Sequence, residues 1–370
     1  MSEKKRRIIQ LLPTLRPGDA IGNEVMALDK LLRANGHETF LCACEVLIPN
    51  PPAHCSVYPG MPVTTDDDII LYHLATGSAD IHNSLPDRRG HLIYRYHNIT
   101  PAHFFRGYSD VGEFNSIEGR RAIHTLKDLP ELVICDSAFN AQDLRETGYT
   151  CPMEVCPIIM DFSDYANAAA GLTPASKGPD HIPTFLFVGR VAPNKCHHKL
   201  IAAVAAYKRK YNEPIRLRLA GSWGGLGNYH TELAVFASAV GLSETSGLGD
   251  GSQEVVMTGK LPFSGIVQEY LNADAFLCLS EHEGFCVPLL EAMYFDLPIL
   301  AYDSTAVPET LGDGGLLLDS NDPYKVAEAM HRIVHDDAFR EDLKRRAKAR
   351  LTDFAQEKTE QRMLKILEGI

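Results

Sequence analysis

The 370-residue sequence predicts an α/β protein built as two doubly wound domains facing across a cleft, and three observations carry that prediction. Short, continuous apolar runs alternate with segments of helical periodicity through both halves; such runs suit parallel strands buried on both faces, with helices in the crossovers. The length exceeds the usual ceiling for one hydrophobic core, which favours two domains over the competing shape of a single large barrel. The alternation is interrupted near residues 168–179, where Ala, Gly, Pro, Ser and Lys displace the apolar pattern.

In the first half, strands are expected over residues 7–12, 39–43, 68–74, 91–96, 132–135 and 154–158. Between the first two, Val25, Leu28, Leu31 and Leu32 recur at helical spacing and Asn35-Gly36 supplies a stop, giving a β-α-β opening. This half forms a domain of residues 1–165, followed by a linker over 166–183. The second domain, 184–352, shows strands at 185–188, 216–220, 255–258, 275–279, 299–302 and 316–318, with helices over 199–210 and 288–295. The charged tail 336–370 reads as one or two amphipathic helices. Within it, 353–370 is a C-terminal helix available to pack back on the N-terminal domain.

Composition narrows the function. With 45% hydrophobic and 23% charged residues, the chain is an ordinary globular protein, and a net charge of -12 argues against general nucleic-acid binding. The basic start from Met1 to Arg7 precedes an apolar run that ends at Pro13, too short for a signal peptide, and no stretch approaches a membrane span. The expected location is therefore the cytoplasm. Surface attachment at the inner face of the cytoplasmic membrane stays open, with the basic residues Lys4 to Arg7 and Arg120-Arg121 as its candidate contacts. The nine cysteines, Cys42, Cys44, Cys55, Cys135, Cys151, Cys156, Cys196, Cys278 and Cys286, lack the two-residue gap of a zinc or redox motif and read as reduced thiols. No metal is expected. Asp66-Asp67-Asp68 reads as a solvated strand entry, and Tyr72 to Gly77 as a strand ending in a glycine-containing loop, which makes His73 and Gly77 acceptor-side candidates.

The strongest chemical signal is the segment from Ser280 to Met293, directly after a buried strand. Pro288 suits the first turn of a helix, which leaves Glu283 to Val287 as the preceding loop. The amides from Gly284 to Val287 and the positive helix end make a seat for a phosphate, while Glu283 is suited to accept hydrogen bonds from sugar or ribose hydroxyls. Taken alone, Glu283 and Glu291 would be a solvated loop acid and a common helix-start acid. The context changes that reading: Gly189-Arg190 and Lys195 leave another strand end, where Arg can grip a phosphate in a fork and Lys can act as a point charge.

Gly189-Arg190 with Lys195, Ala220-Gly221, Thr258-Gly259-Lys260, Tyr270-Leu271-Asn272-Ala273-Asp274, the Glu283 to Glu291 segment, Val307-Pro308-Glu309 and Gly314-Gly315 together resemble, in that order, the retaining group 1 glycosyltransferases of the GT-B fold, a pair of Rossmann-like domains. The first half resembles them at Arg16 to Asn23, where Gly22-Asn23 replaces the usual glycine pair, at Asn35-Gly36-His37-Glu38, and at His97 after a strand. The resemblance implies that Arg190 and Lys195 neutralise a donor diphosphate and that Glu283 holds the transferred hexose. It further implies that Gly189, Gly284, Phe285 and Cys286 line the donor, Glu291 holds the ribose, His97 touches the sugar from the other domain, and Gly22 lies near the diphosphate or acceptor. For His97 a buried structural role is the competing reading. The implied donor is a nucleotide-sugar, GDP-mannose or UDP-glucose in type, and the implied acceptor a saccharide or lipid-linked saccharide of bacterial surface polysaccharide. A nucleotide-sugar hydrolase or epimerase, and a silent binding subunit, are the rival classes.

Overall fold

The computed structural model describes residues 5–370, so Lys4 of the basic start lies outside the described residues. Contacts divide the chain into two units. The first comprises Met1–His103, Val111–Asp161 and Phe354–Ile370, and the second Phe104–Asp110 and Phe162–Asp353.

The first unit is a seven-stranded sheet of β1 (Arg7–Leu15), β2 (Glu38–Val46), β3 (Cys55–Val57), β4 (Ile69–Leu74), β5 (His91–Tyr96), β6 (Leu132–Cys135) and β7 (Met153–Val155). Its order is β3-β2-β1-β4-β5-β6-β7, with every pairing parallel. All six residues of β4 are buried, as expected for a strand covered on both faces. The first helix, Ala20–Ala34, starts where Asp19 accepts a hydrogen bond from the Gly22 amide at 2.6 Å and ends at Asn35, with Gly36 at φ +84°. That is the left-handed exit glycine adopts without a Cβ penalty.

The second unit repeats the plan with β8 (Thr184–Val188), β9 (Arg216–Ala220), β10 (Glu244–Ser246), β11 (Val255–Gly259), β12 (Ala275–Cys278), β13 (Ile299–Tyr302) and β14 (Leu316–Leu318). The order is β10-β11-β9-β8-β12-β13-β14, again parallel throughout. In each unit the chain starts mid-sheet and reverses its direction of winding, at β1/β4 and at β8/β12. Such switch points open a crevice at the carboxyl ends of the strands.

Three expectations need correction. The segment expected to be a linker begins with a helix, Ser163–Ala170, whose Tyr165 is buried in the second unit; its alanines favour helix, and the apolar periodicity there is too short to register. Asp68 is not solvated: it is buried, pairs with Arg7 at 2.5 Å and accepts from the Thr65 amide, so it anchors the entry to β4 while Asp66 stays exposed. Arg120 is taken up by Asp143 at 2.7 Å, which leaves Arg121 as the exposed member of that pair.

The tail forms helices Asp337–Leu351 and Gln356–Glu368. Met363 and Leu367 of the latter are buried among Ile8, Leu28, Leu32, Ile69, Leu71 and Ile134 of the first unit. Burying side chains of this size stabilises by about 1.5–3 kcal/mol each. The Arg362 guanidinium donates to the Val155 carbonyl of β7 in the same unit.

Candidate functional site

At the β8/β12 switch point the loops after β8, β12 and β13 are tied together. The Glu281 amide donates to the Asn194 carbonyl at 2.9 Å, and the Asn194 side-chain amide donates to the His282 carbonyl at 3.1 Å. Ser304 Oγ donates to the Ser280 carbonyl at 2.6 Å, and the Glu283 amide donates to Thr305 Oγ1 at 2.9 Å. Gly221 is required where the β8 and β9 loops cross, because a Cβ there would lie 1.8 Å from the Gly189 carbonyl oxygen. The result is a frame that fixes Lys195 Nζ 2.5 Å from Glu283 Oε2.

The electrostatics follow from this pair. Burial pulls the Lys195 ammonium down, but the adjacent Glu283 carboxylate outweighs it and the net shift is upward, so Lys195 stays charged. Burial pushes the neighbouring His197 down to about 3 and also lowers His198, which leaves both neutral near pH 7. Lys199 pairs with Glu281. Arg190, exposed just past β8, donates to the Gly224 carbonyl at 3.2 Å. The helix Val287–Tyr294 opens with Cys286 as N-cap, at φ 73°, without a side-chain cap bond and with no acid in its first turn. Its positive end, worth about half an elementary charge, is therefore not offset by a side chain of its own.

Phe285 and Glu291 sit behind this front. The Phe285 carbonyl accepts from Thr310 Oγ1 at 2.5 Å. Glu291 is buried, with the Tyr165 hydroxyl on one carboxylate oxygen and the Tyr270 hydroxyl on the other at 2.5 Å. Burial raises the Glu291 carboxyl above 4.5, and the two tyrosine hydrogen bonds only partly oppose it. An acid raised in the folded state gives stability that is complete below its unfolded value and is lost as pH rises through its folded one. Glu291→Gln should therefore gain on the parent as pH rises from 4.5 upward, with a slope of at most about 1.4 kcal/mol per pH unit. Urea midpoints of the two proteins between pH 4 and 7.5 check this; a gap constant with pH would count against a strained buried charge.

Backbone strain concentrates at the same edges. Among the described non-glycine residues with positive φ are Cys196 beside Lys195, Cys286, Thr305, which bonds Glu283, and Asn98 beside His97. Such conformations persist where the surroundings over-determine them, and they gather at functional sites.

In the first unit, His97 follows β5 and its side chain is 3% exposed. Its Nδ1 faces Asp136 Oδ2 at 3.0 Å and its Nε2 faces His73 Nδ1 at 2.9 Å. Beyond, His73 Nε2 faces Gln10 Oε1 at 3.0 Å, and Gln10 Nε2 donates to the Val25 carbonyl at 3.1 Å. A carbonyl only accepts, so the Gln10 orientation is fixed and His73 Nε2 must carry a hydrogen. Burial, reinforced by the charges of His97 and Arg95, holds His73 well below its ordinary range, so it is neutral and its Nδ1 accepts. His97 Nε2 is then the donor in that contact, and its Nδ1 lies against the Asp136 carboxylate. Buried Arg95 pairs with Glu24 at 2.5 Å and Asp136 at 2.8 Å, so neither buried carboxylate is left without a cation.

The ring nitrogens of His97 are thus committed inside the unit, and His73, fully buried, is not accessible as an acceptor-side group. Gly77 has a packing reason to be glycine: a Cβ there would lie 2.8 Å from the Asn115 carbonyl oxygen. A Cβ at Gly22 would lie 2.1 Å from the Arg16 carbonyl oxygen, and its amide is held by Asp19. A cavity of about 510 Å³, lined by Lys177, His181, Asp274 and Lys344 among others, lies at the amino ends of β8, β12 and β13. That is the edge opposite Lys195 and Glu283, and its lining charges are paired, Lys177 and His181 on Asp274. Ligands of open α/β sheets bind at the carboxyl edge, so the cavity is not the candidate site.

Residues 174–350 match the family of glycosyl transferases group 1, and the chain carries a domain of that family on a GT-B fold. O-antigen chain mannosyltransferase B of Escherichia coli is 33% identical over 99 residues, 27% of this chain and 26% of that protein. D-inositol 3-phosphate glycosyltransferase of Corynebacterium jeikeium is 28% identical over 241 residues, 62% of this chain and 55% of that protein. The chain spans between about a quarter and about half of the length of these curated relatives. The structure of HepE from Anabaena, solved with UDP and glucose, superposes with a TM-score of 0.71 over 99% of this chain and 100% of that one at 18% identity, a likeness of fold. No helix among the described residues is long and apolar enough to cross a membrane.

Proposed function

We propose that this chain is a retaining hexosyltransferase that moves mannose or glucose from a nucleotide-sugar, GDP-mannose or UDP-glucose in type, to a saccharide or lipid-linked saccharide acceptor of bacterial surface polysaccharide. The observation that carries the reading is the Lys195–Glu283 pair at the carboxyl edge of the second sheet, the edge at which Arg190 leaves β8 and the helix Val287–Tyr294 begins without a side-chain cap. Formal charges of Arg190, Lys195 and Glu283 with the helix end leave a net of about +1.5 at this edge. Negative charge grows on the diphosphate as its bond to the anomeric carbon breaks, and preorganised positive groups favour that transition state over the bound donor. On this reading two side-chain cations and a helix end do the work that could otherwise fall to a metal ion.

Glu283 accepts hydrogen bonds from the hexose hydroxyls and shares Lys195 with the diphosphate. The departing phosphate oxygen takes the proton of the incoming acceptor hydroxyl, so no protein nucleophile is needed. Glu291 meets the ribose with the carboxylate lone pairs its two tyrosines leave over. The acceptor belongs to the carboxyl edge of the first sheet, where His97 follows β5. A mannosyl donor is supported by the mannosyltransferase named among the relatives. A lipid-linked acceptor and peripheral membrane contact are supported by Val111, Phe114 and Ile117, exposed at helical spacing on Asp110–Thr125.

The test is turnover of purified full-length protein over a panel of nucleotide-sugars, with soluble saccharides and with lipid-linked saccharides in vesicles. Transfer from one mannosyl or glucosyl donor, with retained anomeric configuration in the product, is expected. Release of free sugar with every acceptor would instead make the chain a hydrolase.

A further inference from the structure

Three groups of metal-ligating side chains come together in the described residues: Glu24 with His73 and His97, Cys278 with Glu283 and Cys286, and Glu213 with His331 and His335. The first two are buried and already hold a cation, Arg95 on Glu24 and Lys195 on Glu283, which would repel a metal ion. The third is different. It lies on the outside of the second unit, partly exposed, where the helix His197–Tyr211 gives way to the turn before β9 and the helix Pro323–His335 packs alongside.

We propose that Glu213, His331 and His335 form a divalent metal site of the zinc class. His331 and His335 are four residues apart on one helix, so both imidazoles stand on one face, with ring centroids 4.2 Å apart. Both present Nε2 to the same carboxylate: His335 Nε2 lies 2.7 Å from Glu213 Oε2 and His331 Nε2 lies 3.8 Å from Oε1. Zinc bonds to nitrogen and carboxylate oxygen of about 2.0–2.2 Å set ligand-to-ligand edges of about 3.3 Å in a tetrahedron. The two separations bracket that value, and all three ligand atoms lie within 4.8 Å of one another.

The supports expected around a metal site are present as well. The Tyr207 hydroxyl donates to Glu213 Oε2 at 2.8 Å, orienting the carboxylate, and the His331 ring is stacked on Tyr211 at 3.8 Å, fixing its plane. Two imidazoles and one carboxylate leave the fourth position to water. The site lies at the far end of the helix that begins beside Lys195, a span of about 22 Å at 1.5 Å per residue, so it takes no part in sugar transfer. It acts as a clasp between two helices of the second unit.

The test is calorimetric titration of chelator-stripped full-length protein with zinc chloride. One zinc per chain in the micromolar range is expected, with uptake lost in the double variant His331→Ala/His335→Ala and weakened by at least about tenfold in Glu213→Gln. Cobalt(II) in place of zinc should give the visible absorption of a tetrahedral or five-coordinate ion. Zinc should raise the melting midpoint of the parent by a few degrees and leave the double variant unmoved. No uptake by the parent, unchanged uptake in the double variant, or uptake abolished by Cys278→Ser/Cys286→Ser would overturn the proposal. Glu213→Gln keeps shape and hydrogen bonding, and so guards against a folding defect in the alanine pair.

Discussion

Lys195→Ala is expected to lower turnover by about 10²–10³, comparable with the loss of one preorganised donor to a developing oxyanion. Lys195 is the cation the structure fixes most firmly at the carboxyl edge of the second sheet, because three loops are bonded together around it and Glu283 anchors its ammonium. Its removal also leaves Glu283 buried without a partner. Breaking a buried pair costs about 3–5 kcal/mol, and solvent reaching Lys195 puts this one at the lower end. A structural bridge would show the same loss, so the discriminating protein is Lys195→Ala/Glu283→Gln, which removes both charges together. Urea midpoints should recover in the double variant while turnover at saturating donor stays low. Recovery of near-parental turnover would reduce the pair to a structural bridge.

Glu283→Gln should produce a loss of similar size, about 10²–10³ in turnover, with a different signature in binding. The amide keeps the shape but accepts more weakly from hexose hydroxyls, so transfer suffers. A nucleoside diphosphate has no hexose, and for it the change only deletes a negative charge beside Lys195. Its inhibition constant should therefore fall or hold steady. Product inhibition against the parent measures this, and a diphosphate bound much more weakly would mean that the glutamate organises the loop rather than the sugar.

The sequence made both sheets legible because a strand covered on both faces has to be continuously apolar, as in β4, β8, β11 and β12. The two strands it does not reveal, Cys55–Val57 and Glu244–Ser246, lie at sheet edges, are three residues long and have no apolar run. Lys195 and Glu283 could be picked out because each follows a buried strand. That they bond to each other could not, since they stand 88 positions apart. The same holds for the chain Gln10, His73, His97 and Asp136: its members come from the ends and middles of four strands, and no spacing relates them. Glu291 was visible as a helix-start acid, but its tyrosines were not. Tyr270 belongs to a recognisable motif with Asp274, whose carboxylate takes the Thr184 amide at 2.7 Å and so pins the start of β8.

The helix Gln356–Glu368 bears on how this molecule comes into being on the ribosome. Strands β1 to β7 are synthesised first, yet the apolar face that Met363 and Leu367 cover stays wet until those residues leave the exit tunnel. The second unit, whose strands all precede that helix, can therefore mature while its elder sibling is still unfinished, the reverse of the usual amino-to-carboxyl order.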